Sequence, residues 1–248
     1  MLADLTVADL AIVAVTAFCA QIIGGMAGYG TGLLMPLVLV PMVGAPAVVP
    51  VIALSAIITN ATRVAAFRES LDLRKALIAT GAALPFALLT AWGYTQLTSR
   101  ATAIFIGIML IVLVPVRRLF EHMKLRLDDK GLAISSVGYG IVSGGSAGSG
   151  VILLSLLMAT GLTGTQVIAT DAMVSFLLCI FRTGVFAGFG ALDGKLVALA
   201  LLIGVMATPG TLTAKWLVRR FSARVHTLIL EAGIIVGGSM LIWRALAS

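Results

Sequence analysis

Charge is what this sequence has least of. The 17 lysines and arginines and 10 aspartates and glutamates make up 11% of 248 residues, less than half the ~25% usual in a soluble domain. Hydrophobic residues reach 60%, against about 45–50% ordinarily. Too little polar surface remains to cover a water-soluble globule. No charge falls between Leu10 and Thr62 or between Gly131 and Thr170. A membrane helix needs about 20 apolar residues, so each of these runs must fold back or cross repeatedly. Their continuity excludes an outer-membrane β-barrel, whose strands alternate over about 10 residues. The expected fold class is therefore an all-α polytopic membrane protein.

Other scarcities narrow the function. Cys19 and Cys179, the only cysteines, sit in apolar segments without metal-ligand spacing and form no disulfide framework. His122 and His226 lie in basic connectors and make no metal pair, so neither a metal nor a cofactor is expected. No cluster of His, Cys and acidic residues shares one depth, which argues against an enzyme and leaves no catalytic candidates. The net charge of +7 comes from basic residues between apolar runs, where membrane topology accounts for them without nucleic acid. Met1–Leu10 carries Asp4 and Asp9 but no Lys or Arg, unlike a cleavable signal peptide, and is expected to be retained.

What the chain does contain is a repeat. Gly24–Pro36 aligns with Gly144–Leu156 at an offset of 120, with seven of thirteen positions identical. The register persists within one residue at Ser55/Ser175, Arg63/Arg182, Phe67/Phe186, Asp72/Asp193 and Lys75/Lys195. Residues 1–123 and 124–248 are the expected units. Thirteen of the 17 basic residues fall in the connectors 63–75, 117–130 and 215–224, which the positive-inside rule places in the cytoplasm. Equivalent connectors then lie on opposite sides, so the units are inverted, an arrangement behind many secondary transporters.

Three membrane helices are expected in the first unit (47–62, 76–98, 101–116) and three in the second (165–181, 196–214, 225–243). The blocks 8–43 and 131–161 remain, each split by glycines. Each must start and end on one side, and the second is short for two spans, so re-entrant hairpins are expected.

The glycine blocks match neither a dinucleotide fingerprint nor a P-loop, which need a strand–turn–helix unit or a Lys-Ser/Thr pair. Two readings remain. In one, Gly24/Gly28/Gly32 and Gly140/Gly144/Gly148 are small-xxx-small packing stripes. In the other, they break the helix where the backbone lines a cavity, and two facing half-helix N-termini bind a small anion.

The Gly24-Gly25-Met26-Ala27-Gly28-Tyr29-Gly30 block with Leu33-Leu34-Met35-Pro36, the second copy beginning Tyr139-Gly140-Ile141-Val142-Ser143-Gly144, and the stretch Asn60…Phe67…Leu71-Asp72 carry a resemblance. Over nearly its whole length the chain is similar to the sulfite exporter TauE/SafE family, also called the toluenesulfonate uptake permease family. The resemblance implies a multi-pass permease of the bacterial inner membrane. Its expected cargo is sulfite, an organosulfonate or a related sulfur-containing anion, moved down its gradient or with protons. The expected partners are that anion and the lipid bilayer, with a homodimer left open; a non-transporting subunit of a membrane complex is the alternative. In one respect the chain departs from the family pattern: Val151, Ile152 and Leu156 stand where the second motif commonly runs Gly-Gly-x-x-x-x-Pro. A more apolar second pocket is expected, one suited to an organosulfonate.

Polar residues within membrane segments are costly and usually functional. The expected substrate-binding residues are Gly28, Tyr29, Gly30, Thr31, Asn60, Ser146, Gly148, Ser149 and Gly150. Neither hairpin contains a basic residue, so N–H groups and hydroxyls of the turns Gly28–Thr31 and Ser146–Gly150 are expected to hold the anion, while Arg63 and Arg182, near opposite faces, serve entry or charge compensation and attract it without holding it. Asp171 and Glu231 are the proton-coupling candidates. Gln21 and Gln166 are further intramembrane polar residues, and Trp92, Trp216 and Trp243 fit interfacial anchors. In single-cysteine variants, a membrane-impermeant reagent added from outside should label position 98 and miss position 122; the reverse pattern would overturn the orientation.

Overall fold

The computed structural model describes residues 6–27, 30–122 and 126–217, together with 239 and 243. Among the described residues the chain is helical, without strands: α1 (Val7–Ala27), α2 (Gly30–Val43), α3 (Ala45–Phe67), a 3-10 turn at Arg68–Ser70, α4 (Leu73–Thr95), α5 (Ser99–His122), α6 (Asp129–Gly145), α7 (Gly150–Ala159), α8 (Thr165–Gly188) and α9 (Gly194–Leu217). Segments of α3 (running on through the 3-10 turn), α4, α8 and α9 are long and apolar enough to cross a membrane. The expected helix 225–243 lies outside the described residues, apart from Ser239 and Trp243. At 1.5 Å per residue, the 10 residues of α7 rise about 15 Å, half of a ~30 Å hydrocarbon layer. The second glycine block is broken as expected, between α6 and α7; in the first, α1 and α2 flank residues 28–29, which lie outside the described residues, and pack on each other.

The few acidic residues outside the apolar runs largely start helices. Thr6 and Asp9 form a reciprocal capping box on α1, with N–H donations of 3.2 and 2.9 Å. Asp72 accepts the Lys75 N–H at 3.0 Å, Asp128 that of Gly131 at 2.8 Å, and Asp193 that of Leu196 at 2.8 Å. Each such cap is worth about 1 kcal/mol. The Lys75 N–H also holds the Asp72 carboxyl below the usual carboxylate range.

Packing is reciprocal between the two sequence halves. Helix α4 lies against α6 as α9 lies against α1; α3 meets α9 as α8 meets α4; α2 meets α3 as α7 meets α8. At the centre α3 and α8 pack on each other and run antiparallel. The C-terminal end of α3 meets the start of α8 through Arg63 and Asp171 (2.9 Å), with Ser70 and Thr165 (2.9 Å) just beyond. At the other end, the carbonyl of Ala45 accepts the Tyr94 hydroxyl at 2.9 Å, and the Tyr94 ring stands edge-on to Phe186 at 5.9 Å.

Helix α4 shows how a membrane protein sorts its faces. Ala76, Ala79, Ala83, Ala87 and Ala91 recur at helical spacing and are fully buried, while Leu77, Phe86, Leu89 and Trp92 face outward. Small residues turn inward because helices in lipid associate by close backbone approach. Large apolar ones turn outward because lipid does not penalise them. Against the alanine stripe lie Gly140 and Gly144. A Cβ on Gly140 would stand 2.3 Å from the Ala83 carbonyl oxygen, and one on Gly144 would stand 2.2 Å from that of Ala87. These two glycines are packing residues, as the small-xxx-small reading expects. Gly140→Val should therefore cost about 1–3 kcal/mol through overpacking, read as a lower melting temperature in detergent. Gly138→Val, with open space around its Cβ, should melt like the parent.

Candidate functional site

Polar side chains on α3 and α8 recur every three or four residues, which puts them on one face of each helix. On α3 that face carries Ile52, Ala56, Thr59, Asn60 and Arg63; on α8 it carries Ser175, Leu178, Cys179 and Arg182. Together they wall a cavity of about 120 Å³. At ~10–15 Å³ per water, that is room for roughly ten waters, enough for a small ion with part of its hydration shell. The first turns of α2 and α7 close the cavity, through Thr31 and Gly32 on one side and Ser149 and Gly150 on the other, with Tyr139 of α6 alongside. Both helix N-termini thus open onto one space, where N–H groups of a first turn lack intrahelical acceptors.

The two broken segments touch. A Cβ on Gly32 would stand 2.5 Å from the Gly148 backbone nitrogen. Gly148 itself has φ +88°, and a Cβ there would meet Leu33 Cδ2 at 2.3 Å. Only glycine combines that left-handed backbone with so close an approach. Gln21 ties the α1–α2 segment to the rest: its amide donates to Thr211 of α9 at 3.0 Å and its oxygen accepts the Thr31 hydroxyl.

Charge in the site is unbalanced. Arg63 is 6% exposed; one of its terminal nitrogens donates to Asp171 at 2.9 Å and the other to Asn60 at 3.0 Å. Asp171 is 1% exposed and stands behind Arg63, off the cavity wall. Arg182 is 7% exposed, and its Nη2 donates to the Ser146 carbonyl at 3.4 Å. Among the described residues no carboxylate lies within ion-pairing distance of Arg182. Its buried Nε has no partner, nor has that of Arg63 or the Oδ1 of Asp171. Among the described residues two guanidinium groups face one carboxylate, an excess of one positive charge. Burying a cation without a counter-charge is expensive, and a negatively charged solute in the cavity would offset that cost.

Several expectations are corrected by this geometry. Arg63 and Arg182 do lie toward opposite ends of the antiparallel α3–α8 pair, but their heads are not in water; both are buried in one cavity. The glycine turns are not left to neutralise an anion by themselves, because α8 delivers Arg182 to the turn at Ser146. Val151, Ile152 and Leu156 do not make the pocket apolar; they are buried in helix packing and absent from its lining. Thr31, Asn60, Ser146, Gly148, Ser149 and Gly150 do line the cavity, and Gly30 begins α2. Gly28, Tyr29 and Glu231 lie outside the described residues. Gln166 is exposed at the start of α8. Sequence reasoning missed Tyr139, Thr59, Ser55 and Ser175 as lining residues, although the polar spacing that ends in each arginine marks all but Tyr139.

The family model for sulfite exporter TauE/SafE matches residues 13–241. The chain belongs to this family. No curated protein and no solved structure matches it. Within this TauE/SafE chain the match spans both broken segments and every lining residue of the cavity.

Gly148 provides a test of the site's backbone. Gly148→Ala should lose both thermal stability and uptake of a sulfur-containing anion in proteoliposomes. Gly161→Ala, at φ +87° but with nothing near its Cβ, should pay only the ~1–2 kcal/mol of left-handed strain and keep uptake. Equal behaviour of the two variants would show that the Gly32–Gly148 approach is not needed.

Proposed function

We propose that the chain is a secondary transporter of the bacterial inner membrane that carries a small sulfur-containing oxyanion, sulfite or the head group of a sulfonate, through the cavity between α3 and α8. The observation that carries this reading is Arg182, buried in that cavity without a carboxylate partner among the described residues. Guanidinium matches an oxyanion with parallel N–H donors, and the first turns of α2 and α7 add helix-end N–H groups on the same side. The volume suits a compact anion or head group better than a bulky organic tail.

Inverted repeats are supported by the antiparallel run of α3 and α8, which hold equivalent places in the two halves, and by the reciprocal packing around them. In this reading bodies that each combine helices of both halves rock about the anion site, exposing it to one side at a time. Asp171 supplies the coupling. A proton on its carboxyl breaks the pair with Arg63 and releases a second guanidinium to the cavity, so proton and anion binding reinforce each other. No bond of the cargo is made or broken.

Proteoliposomes holding the purified protein test this reading, with uptake of sulfite, sulfoacetate and toluenesulfonate measured with and without an inward proton gradient. The parent should take up at least one of these, and Arg182→Gln should lower that uptake about tenfold or more, as removal of a buried charge partner does. A proton gradient should stimulate the parent but not Asp171→Asn. Unchanged uptake by Arg182→Gln would overturn the site, and equal stimulation of Asp171→Asn would overturn the coupling.

A further inference from the structure

The two arginines differ in a way that counting along their helices makes visible. On α8, Asp171 precedes Arg182 by eleven residues, about three helical turns, so the two share a face. On α3, the residue eleven before Arg63 is Ile52. Because α3 and α8 are antiparallel and Arg63 meets Asp171 at one end, the exchange of one helix for the other sets Arg182 beside Ile52 at the opposite end. Ile52 is 7% exposed and lines the cavity together with Arg182. The same position is therefore an acid in one half and an aliphatic residue in the other. Arg63 is neutralised from within, and Arg182 is not.

We infer that Ile52 sets the charge preference of the cavity: standing where an internal carboxylate would neutralise Arg182, it keeps that guanidinium available to an anion. The inference rests on the reading that Arg182 binds the transported anion. Its physical basis is competition. A carboxylate tethered beside the guanidinium acts at an effective concentration in the millimolar range or above, so a dissolved anion of ordinary affinity would be displaced by it. Asp171 plays that part toward Arg63. Selectivity here is a matter of which of two equivalent arginines is left without its tethered counter-ion.

The experiment measures equilibrium binding of radiolabelled sulfite to the full chain in detergent at fixed ionic strength, after melting and elution profiles have established folding. Ile52→Asp should bind about tenfold more weakly or worse than Ile52→Asn, which is polar but uncharged and fills the same place in the cavity wall. The exchange variant Ile52→Asp/Asp171→Ile moves the acid to the other arginine and should recover binding. That recovered binding should be abolished by Arg63→Gln and no longer by Arg182→Gln. Equal binding by the Asn and Asp variants, equal loss in both, or an exchange variant that still depends on Arg182 would each overturn the inference. Arg182→Gln in the otherwise unaltered chain tests the underlying reading separately: if it binds sulfite like the parent, the anion site itself lies elsewhere. Should Ile52→Asp alone fail to fold, the exchange variant, with the same composition at the two positions as the parent plus one acid moved, supplies the decision.

Discussion

The carboxylate of Asp171, reaching from the start of α8 to Arg63 near the end of α3, is the contact on which the geometry of the cavity depends. As a source of stability a buried ion pair is equivocal, since the desolvation of two charges consumes most of the Coulomb attraction. Losing one partner, by contrast, costs about 3–5 kcal/mol because a bare charge stays behind. The pair therefore acts as a register pin. Sliding α3 along α8 by a turn would strand both charges, whereas the apolar contacts around them would reform with little loss. With that end fixed, the far end of α8 is fixed too, and Arg182 is brought to the carbonyl of Ser146 beside the broken segment between α6 and α7.

Around the pin, approach distances are set by what is missing from side chains. The α4–α6 seam closes only because alanine faces glycine, and the two broken segments meet only because Gly32 and Gly148 lack Cβ atoms. These are two uses of one residue type. Gly140 and Gly144 stay helical and admit a neighbouring backbone, whereas Gly148 leaves the helical conformation altogether. A glycine stripe at four-residue spacing therefore does not have one meaning along its length.

Much of this was legible before any coordinates. The long uncharged runs declared membrane helices, and the duplicated glycine block declared where two of them would break. What could not be read was depth across helices. Arg63 and Arg182 lie next to loops in the sequence, and an arginine near a helix end usually extends to the headgroups. Their burial is decided by partners distant in sequence, Asp171, 108 residues from Arg63, and Ser146 just past the end of α6, 36 residues from Arg182. Burial of Val151, Ile152 and Leu156 was likewise hidden, since an apolar residue next to a binding motif can face either the cavity or a neighbouring helix. The polar stripes on α3 and α8, by contrast, were present in the spacing alone and pointed to a shared face.

The reciprocal packing of α4 with α6 and of α1 with α9 makes the two halves of the chain interleave. Each broken segment leans on a long helix encoded in the opposite half, so the pieces that are contiguous in sequence are not the pieces that hold together in space. Any rigid body that moves in this molecule is thus composite, assembled from both halves. It follows that neither half has a complete set of packing partners by itself, and α1 and α3 gain theirs only once α9 has been made.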